Sequence, residues 1–358
     1  MRVRGDRLTT ALPEAGIDIL LVTSLANVRY LTGYSGSNGV ALVGPDTRTF
    51  ITDFRYVEQA AEEVDASFER RQAPQDLLAA VQDVLPGEGA VRLGFEEGHV
   101  SVRTHNRLRE LLDDRIELVG ADGLVERLRA VKDANEVAAI RAACQLADAA
   151  LDQVLDDGLV GRTEREVALA LEMAMRELGA KRPSFDAIIA AGPHGALPHA
   201  QPRDVVIEPD QLVVIDWGAE LDGYCSDCTR TVATGQVSDH AQEIYALVRS
   251  AQLSGLEGVA AGRDGRDVDA VARRVIQDAG HGDHYGHGLG HGVGIEVHEA
   301  PRLSQRSEDT LVAGNIVSVE PGVYLPGELG VRIEDLVVVT ETGCEILTGL
   351  TKDLRVVS

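Results

Sequence analysis

The chain has 358 residues, of which 44% are hydrophobic and 26% are charged, as in folded globular proteins. Its length predicts two domains, because one hydrophobic core rarely serves more than about 250–300 residues. The formal net charge of −24 argues against a nucleic-acid partner, since phosphate binding depends on Lys and Arg. No segment approaches the roughly 18 consecutive apolar residues of a membrane-spanning helix, so we predict no membrane partner.

The N-terminus and the cysteines indicate the cellular compartment. The N-terminal sequence MRVRGDRLTTALPEAG lacks the apolar core of a secretory signal peptide, which predicts that the chain is not exported. Four cysteines in a chain of this length do not make a disulfide framework. Cys225 and Cys228 form a CSDC pair, but no second pair completes a structural zinc site. We interpret them as packing residues and predict a cytoplasmic protein.

Residues 1–125 are predicted to form an α/β domain. Short apolar runs that are typical of strands alternate with helix-like stretches. The strand-like runs are DILLVTS, GVALVG, TFITDF and VRLGFEE. The helix-like stretches lie near residues 56–64, 75–84 and 101–113. This alternation indicates helices packed on a sheet.

Residues 126–358 are predicted to form a second domain of the α+β class. A D-x-x-E capping box at Asp133 and Glu136 begins its first helix, and Thr163 with Glu166 begins the next. Two more helical stretches lie near residues 239–261 and 267–279. The β-rich segments are QLVVIDWGAELDGYCSDCTRTVAT, NIVSVEPGVYL and GVRIEDLVVVT. This order predicts helices covering one face of a mostly antiparallel sheet.

Two aspartates interrupt the first β-rich segment of this second domain. If a hairpin turns near Leu221 and Asp222, Asp216 and Asp227 lie directly opposite each other on one face. Their Cβ atoms would then be roughly 5 Å apart. The run LVVID is typical of a buried strand, where Asp is rare unless it is paired or coordinated. Like charges so placed destabilise the sheet unless a cation lies between them.

A second acidic pair and a histidine-rich loop lie further along the chain. Glu320 ends the apolar run NIVSVE, Glu334 interrupts VRIEDLVVV, and a hairpin turning near Gly327 would bring them together. The segment HGLGHGVGIEVHEAP, residues 287–301, adds three histidines, which are the usual neutral metal ligands. Its glycines would let the backbone pass close to whatever the histidines bind.

These residues together predict a dinuclear metal site. Four carboxylates carry a charge of −4, which two divalent cations balance and one does not. Carboxylates with one or two imidazoles suit Mn, Fe, Co or Zn better than a sulfur-seeking ion. Two such ions can share a water, lower its pKa and present hydroxide to a carbonyl or phosphoryl group. The site is therefore predicted to be hydrolytic.

The motifs resemble the metallopeptidases of the pita-bread fold, in particular the proline-specific Xaa-Pro dipeptidases (prolidases) and aminopeptidases P. The resemblance covers nearly the whole chain. In the C-terminal half it rests on DWGAELDGYCSDCTRT, HGLGHGVGIEVHE, VEPGVY and VRIEDLVVV, and in the N-terminal half on NVRYLTGYSGSNGVALV and TDFRYVEQA. It implies a creatinase-type, ribonuclease H-like α/β domain at the N-terminus and an α+β pita-bread catalytic domain at the C-terminus.

The resemblance implies a set of metal ligands. Asp227 and Glu334 would bridge two divalent ions. The full set would be Asp216, Asp227, His291, Glu320 and Glu334. Mn²⁺ is the ion expected for the family, with Co²⁺ or Zn²⁺ as alternatives. All five expected ligands are present, which argues against a metal-free relative of the creatinase type.

The resemblance also implies catalytic roles. His199 and His298 would hold the scissile carbonyl and stabilise the oxyanion, and His287 would face the substrate. A metal-activated hydroxide would attack the Xaa-Pro carbonyl, while Glu320 carries its proton toward the proline nitrogen. The remaining candidates, His194, His281 and His284, lack motif support and are predicted to be surface residues.

Small peptides with proline at the second position are the implied substrates, and a homodimer is the implied assembly. A dipeptidase must recognise a carboxylate one residue past the scissile bond, for which a guanidinium is the natural partner. The candidates are Arg332, Arg48 and Arg55. The compact N-terminal domain resembles that of short bacterial prolidases and favours the dipeptidase.

Several alternatives to the dipeptidase stay open. An aminopeptidase P would release the first residue from Xaa-Pro oligopeptides with the same metal core. A methionine aminopeptidase would normally lack the N-terminal domain. A non-catalytic binding protein with this fold would be expected to have lost one or more ligands.

Overall fold

The structure, a computed structural model, describes residues 1–74 and 76–358. The chain divides into two compact units, Met1–Arg129 and Ala130–Ser358. The boundary that the sequence predicts, after residue 125, falls inside the helix Leu124–Ala130. This helix contacts the first unit, because the Tyr30 hydroxyl donates to the carbonyl of Leu128 at 3.1 Å and Arg129 donates to Oδ1 of Asn27 at 2.8 Å.

The first unit is built around a mixed six-stranded sheet. Its helices are α1 (Arg2–Ala11), α2 (Leu25–Thr32), α3 (Val57–Glu63), α4 (Val102–Leu111) and α5 (Leu124–Ala130). Its strands are β1 (Ile19–Val22), β2 (Val40–Val43), β3 (Arg48–Asp53), β4 (Glu69–Ala73), β5 (Val91–Phe95) and β6 (Ile116–Gly120). The strand order is β4-β3-β2-β1-β5-β6. β2 runs antiparallel to both neighbours and the other pairs are parallel, so the unit has the predicted α/β character.

Three helical segments of this unit differ from the sequence-based expectation. The helix predicted for 75–84 includes residue 75, which lies outside the described residues; beyond it the structure has only a 3₁₀ helix, Leu77–Ala80, held by i to i+3 hydrogen bonds. The helices α1 and α2 were not predicted. The α1 sequence RVRGDRLTTA lacks the apolar periodicity that indicates a helix, because the helix buries only Gly5 and Leu8.

The second unit combines four long helices with small antiparallel sheets. Its helices are α6 (Ala134–Asp156), α7 (Glu164–Glu177), α8 (Asp239–Gly258) and α9 (Gly265–Asp278). Its first strands are β7 (Arg182–Pro183), β8 (Ile188–Ala191), β9 (Leu212–Trp217), β10 (Ala219–Leu221), β11 (Tyr224–Cys225) and β12 (Cys228–Ala233). Its later strands are β13 (Gly290–Gly292), β14 (Glu299–Leu303), β15 (Ile316–Val319), β16 (Gly322–Leu325), β17 (Leu329–Arg332), β18 (Asp335–Val339) and β19 (Cys344–Ile346). The predicted α+β class is confirmed, although the strands form several sheets instead of one.

Each half of this unit buries a pair of helices against strands. α6 and α7 pack with β8, β9 and β12 in one hydrophobic cluster, and α8 and α9 pack with the C-terminal strands in another. Trp217, fully buried at the end of β9, donates from Nε1 to the carbonyl of Ala147 at 2.8 Å and so fixes β9 to α6. The strands that carry acidic residues are therefore backed by rigid helices.

Both predicted capping boxes are present. The Asp133 side chain accepts from the N–H groups of Asn135 and Glu136, and the Glu136 carboxylate accepts from the N–H of Asp133. Replacing Asp133 by alanine should lower the free energy of unfolding by about 1 kcal/mol, because backbone donors at the start of α6 lose their acceptor. Urea denaturation measures this, with Asn135→Ala, whose side chain caps nothing, as the control. Equal stability of the two variants would contradict the capping role.

The described residues contain four free cysteines and no helix that is both long and apolar enough to cross a bilayer. Cys225 and Cys228 are buried, and their thiols contact the carbonyls of Ile295 and Glu334 at 3.5 and 3.4 Å. Burial raises the pKa of the Cys225 thiol to about 12. These contacts support the interpretation of the CSDC pair as packing residues.

Candidate metal centre

The hairpin of β9 to β12 carries the two aspartates on one face, but in a different register from the predicted one. Asp216 lies opposite Thr229, not Asp227. The turn is centred on Asp222 and Gly223, which both have positive φ (50° and 81°), instead of Leu221 and Asp222. Because the register shifts by two positions, the face of the sheet is preserved and Asp227 is a diagonal neighbour of Asp216.

Asp216, Asp227 and Glu334 form a compact acidic cluster. One carboxylate oxygen from each lies within 4.8 Å of the others. Glu334 sits between β17 and β18, and its N–H donates to the carbonyl of Thr229 at 3.0 Å, which holds it beside β12. Asp227 and Glu334 are 5% and 1% exposed. Three carboxylates thus converge in the interior of the second unit.

Glu320 joins this cluster through the predicted C-terminal hairpin. β16 and β17 pair around Gly327 (φ 78°), and Val319 of β15 lies opposite Asp335 of β18. Glu320 follows β15 and Glu334 precedes β18, so the two glutamates lie opposite each other. The hydroxyl of Ser318 donates to Oε1 of Glu320 at 3.0 Å. The hairpin predicted from the sequence is confirmed.

His291 lies on β13 and presents one ring nitrogen to the carboxylates. Its Nδ1 lies 3.1 Å from the carbonyl of Gly292, to which it can donate, and this leaves the lone pair on Nε2. Nε2 lies 3.4 Å from Oε1 of Glu320 and 3.6 Å from Oδ2 of Asp227. A neutral nitrogen lone pair that faces two carboxylates is the arrangement expected around a cation.

The glycines beside His291 have a packing reason. A Cβ on Gly290 would overlap the carbonyl of Ser318, and one on Gly292 would overlap that of Ala300. The glycines therefore let β13 lie tightly between its neighbours, with the N–H of His291 donating to the Ser318 hydroxyl at 3.0 Å. The sequence predicts that the glycines let the backbone approach the bound group. In the structure Gly290 and Gly292 instead let β13 approach the backbones of neighbouring strands.

The electrostatics of the cluster fit divalent cations. Burial, with the charges of Glu334, Asp216 and Glu320, raises the pKa of Asp227 well above its ordinary value, and the pKa of Glu334 is raised by burial and by Glu320 and Asp216. Oδ1 of Asp216 and Oε1 of Glu334 are buried, and neither has a hydrogen-bond partner within residues 1–74 and 76–358. A buried anionic oxygen without a donor is costly unless a cation binds it. The donor set is therefore suited to metal ions.

Arg332 is buried and uses most of its N–H groups in hydrogen bonds within the protein. It is 3% exposed, and Nη2 donates to Oδ2 of Asp216 at 2.6 Å. Its other hydrogen bonds go to the Thr229 hydroxyl at 3.0 Å, the Tyr324 hydroxyl at 2.9 Å and the Pro198 carbonyl at 3.1 Å. Of the five N–H groups of a guanidinium, four are used, so a bidentate contact with a substrate carboxylate would require one of these bonds to break.

The acidic cluster opens into a cavity of about 490 Å³, a size that suits a small ligand. All the predicted ligands line it, and so do His199, His298, His287 and Arg332. The rings of His298 and His291 lie 4.3 Å apart between centroids. Nε2 of His287 lies 2.9 Å from the Tyr324 hydroxyl, and burial lowers the pKa of His287, so its imidazole is neutral at pH 7. The structure thus brings the three motif histidines to one cavity.

Two of the three predicted arginines lie in the first unit. Arg48 pairs with Asp6, and Arg55 pairs with Asp53 at 2.7 Å. Each remains a sequence-based prediction for substrate binding.

The sequence reasoning missed two further features of the second unit. Arg302 lines the cavity but was not singled out, because it follows the histidine motif without belonging to it. The prediction that His194 is a surface residue is wrong: its side chain is 7% exposed and contacts the buried carboxylate of Glu164 at 2.9 Å. No local pattern marks either residue, since the partner of His194 and the other residues around Arg302 in the cavity include ones far away in sequence.

Comparison with known protein families agrees with this geometry. The model of metallopeptidase family M24 matches residues 138–341, more than half of the chain. The chain belongs to metallopeptidase family M24. The model of the creatinase/prolidase N-terminal domain matches residues 4–131, so the predicted creatinase-type domain and pita-bread catalytic domain are both confirmed. Family M24 membership makes the protein a metallopeptidase and implies divalent metal ions, as the sequence predicted.

Three M24 relatives resemble this chain over almost their whole length. The Xaa-Pro dipeptidase from Pyrococcus furiosus is 35% identical and covers 99% of this chain and 100% of its own. The structure of the Xaa-Pro dipeptidase from Bacillus anthracis has a TM-score of 0.95 at 41% identity, with 99% of each chain covered. That of the X-Pro aminopeptidase from Thermotoga maritima has a TM-score of 0.91 at 37% identity, covering 99% of this chain and 100% of the other.

Proposed function

We propose that this M24 protein is a dinuclear Xaa-Pro dipeptidase. The observation that carries the proposal is the group of four carboxylates and one imidazole that lines one cavity. Two buried oxygens of this group, from Asp216 and Glu334, have no hydrogen-bond donor among the described residues. Dipeptidases predominate among its named prolidase-like relatives, which supports the choice of substrate. The alternative is an aminopeptidase P, which the similarity to the Thermotoga maritima X-Pro aminopeptidase supports.

Two divalent ions would be held by the cluster. The proposed ligands are Asp216, Asp227, His291, Glu320 and Glu334. Asp227 and Glu334 are the most deeply buried of the carboxylates, which suits groups shared by both ions. Manganese is proposed because carboxylate oxygens dominate the set and one imidazole completes it. When bound, the ions would lower the pKa of a water and polarise the scissile carbonyl.

The remaining steps fall to side chains around the ligands. His199 and His298 line the cavity and have exposed side chains, so their ring N–H groups are free to donate to a substrate carbonyl as negative charge develops on it. Glu320 is the most exposed glutamate of the cluster, with 17% of its side chain accessible. It is therefore placed to take a proton from the nucleophile and pass it to the proline nitrogen.

Arg302 is the proposed partner for the carboxylate of a dipeptide. It lines the cavity, its residue is exposed, and no acidic side chain in the described ranges lies within ion-pair distance of its guanidinium. By contrast, Arg332 already donates to four acceptors. A guanidinium with all its N–H groups available can bind a carboxylate in a bidentate manner. We therefore favour Arg302 over Arg332 for recognition of the free C-terminus.

Replacing Arg302 by alanine should raise KM for Ala-Pro about 10- to 100-fold, because a charge-assisted interaction is lost. Steady-state kinetics should show kcat nearly unchanged, and KM for Ala-Pro-amide, which has no carboxylate, should stay as in the parent protein. Arg306→Ala is the matched control, because Arg306 is an exposed arginine in the turn that follows β14. Equal losses on both substrates would contradict carboxylate recognition by Arg302.

The substrate class is tested by comparing Ala-Pro, Ala-Pro-Ala and Ala-Ala with manganese-loaded protein. A dipeptidase should cleave Ala-Pro and leave the tripeptide almost untouched. Preference for Ala-Pro-Ala would establish the aminopeptidase P instead, and cleavage of neither proline peptide would overturn the proline-specific assignment. Light scattering of the purified protein checks the homodimer, and fractionation of cells checks the cytoplasmic location, both of which stay predictions.

A further inference from the structure

The segment that carries His199 begins and ends on a single buried carboxylate. Glu164, the first residue of α7, has a fully buried side chain. Its oxygens accept from the backbone N–H groups of Ala191 and Arg203, each at 3.0 Å. These two residues bracket the segment 192–202, so one side chain closes the loop at both ends.

The side chains of His194, within the segment, and of Arg203, at its end, complete the shell around Glu164. Nδ1 of His194 lies 2.9 and 3.0 Å from the two carboxylate oxygens, and Arg203 donates to them from Nε and Nη2, both at 3.1 Å. Burial alone would raise the pKa of Glu164, but the hydrogen bonds from Arg203, Ala191 and His194 together lower it. Glu164 is therefore an ionised carboxylate that is bound by His194 of this segment and by the two residues that bracket it.

Successive turns connect this anchor to the cavity. The N–H of Leu197 donates to the carbonyl of His194 at 3.1 Å, and that of Ala200 donates to the carbonyl of Leu197 at 3.2 Å. His199 lies inside the second of these turns. The carbonyl of Pro198 accepts from Arg332, which also binds Asp216. The segment is thus fixed at its ends by Glu164 and at its tip by the metal-site arginine.

The backbone of the segment also packs directly on the strand that leads to the metal centre. Gly195 and Gly330 meet so closely that a Cβ on Gly330 would overlap the carbonyl of Gly195. Gly330 belongs to β17, which ends at Arg332, two residues before Glu334. A displacement of the segment would therefore change the position of His199 relative to the carboxylates.

We propose that Glu164 is a positioning residue that sets the location of His199 over the metal centre. Neither Glu164 nor its neighbours His194 and Arg203 line the cavity, so they act on the substrate only through the segment they hold. The proposal rests on the role of His199 in the proposed function. Misplacement of a reacting group by about 1 Å can cost roughly 10²-fold in rate, so the anchor has a measurable effect.

The test is a double-mutant cycle between Glu164→Gln and His199→Ala, with kcat and KM measured on Ala-Pro and metal content measured in parallel. In Glu164→Gln an amide N–H₂ must face the N–H donors of the segment, so the loop loses its anchor. We expect kcat to fall about 10²-fold with the metal content unchanged. In the His199→Ala background the same substitution should have almost no further effect, because both changes remove one contribution.

Glu166→Gln is the matched control. Glu166 lies on the same turn of α7, its carboxylate accepts from Thr163, and glutamine at this position keeps the cap. Losses that multiply in the double variant, or a Glu164→Gln variant with unchanged kcat, would overturn the proposal. If Glu164→Gln fails to fold, Arg203→Ala, which removes a half-exposed partner, takes its place in the cycle.

Hydrogen exchange of the peptide spanning 192–202 gives a readout that does not depend on catalysis. Exchange should speed up in Glu164→Gln and stay as in the parent protein in Glu166→Gln. If exchange speeds up in Glu164→Gln but the parent protein cleaves no proline peptide, Glu164 does hold the segment 192–202 and the proposed function fails. If Ala-Pro is cleaved but His199→Ala is fully active, the role of His199 and the positioning proposal both fail, while the dipeptidase assignment survives.

Discussion

Replacing Glu334 by glutamine should abolish turnover and remove metal from the protein. Glu334 is 1% exposed, its Oε2 accepts from the Thr229 hydroxyl at 2.7 Å, and its Oε1 has no protein donor in the described residues. Glutamine keeps the shape of the side chain but removes one of the charges that balance the ions. Since metal catalysis contributes several kcal/mol, we expect kcat/KM for Ala-Pro to fall by at least about 10³-fold.

Metal analysis should show the number of ions per chain falling from two to one or none in this variant. Glu345→Gln is the control, because Glu345 is an exposed glutamate on β19 that pairs with Arg141. It should retain both metal and activity. A Glu334→Gln protein that binds two ions and cleaves Ala-Pro at the parent rate would show that Glu334 is not a ligand.

Replacing Glu320 by alanine or glutamine should lower kcat while affecting metal binding less than Glu334→Gln does. Glu320 is held by the Ser318 hydroxyl and is more accessible to the cavity than the other glutamate of the cluster. General acid–base catalysis typically contributes about 10²- to 10⁴-fold, so kcat for Ala-Pro should fall by about 10³-fold. Pre-steady-state and steady-state rates with measured metal content separate this loss from a loss of ions.

Glu328→Gln serves as the control for Glu320, since Glu328 is an exposed glutamate of the β16–β17 hairpin. We expect this variant to behave as the parent protein. Full activity of Glu320→Ala would contradict the proposed proton transfer, and loss of both ions in Glu320→Gln would assign Glu320 a purely structural part in the centre.

Local chemistry explains which parts of the fold could be predicted. A capping box depends on two residues three positions apart, so it can be predicted from local sequence alone. Both predicted boxes, at Asp133 and Thr163, are present. The hairpin at Gly327 was also correct, because a glycine between two apolar runs marks the turn. The β9–β12 hairpin was predicted two positions out of register, because the predicted turn was centred on Leu221 and Asp222. The Asp222-Gly223 dipeptide, a pair that favours positive φ at both turn residues, marks the observed turn instead.

The residues of the candidate site also divide into those that local sequence predicts and those that it does not. Asp216 was identified because aspartate is rare in a buried strand, and His291 because it lies in a histidine-rich motif that resembles the family's. Arg302 and Glu164 were not, because their significance depends on which neighbours tertiary folding brings to them. Arg332 was predicted to bind the substrate carboxylate, but only the structure reveals that four of its N–H groups are already bound.

The most direct test of the account is a titration of the metal-free protein with Mn²⁺ while hydrolysis of Ala-Pro is followed. The account predicts no turnover without metal and a rate that rises to a plateau at two ions per chain, in keeping with four carboxylates and one imidazole in the cluster. A plateau at one ion would contradict the dinuclear centre. Failure to cleave Ala-Pro at any metal loading would contradict the dipeptidase itself.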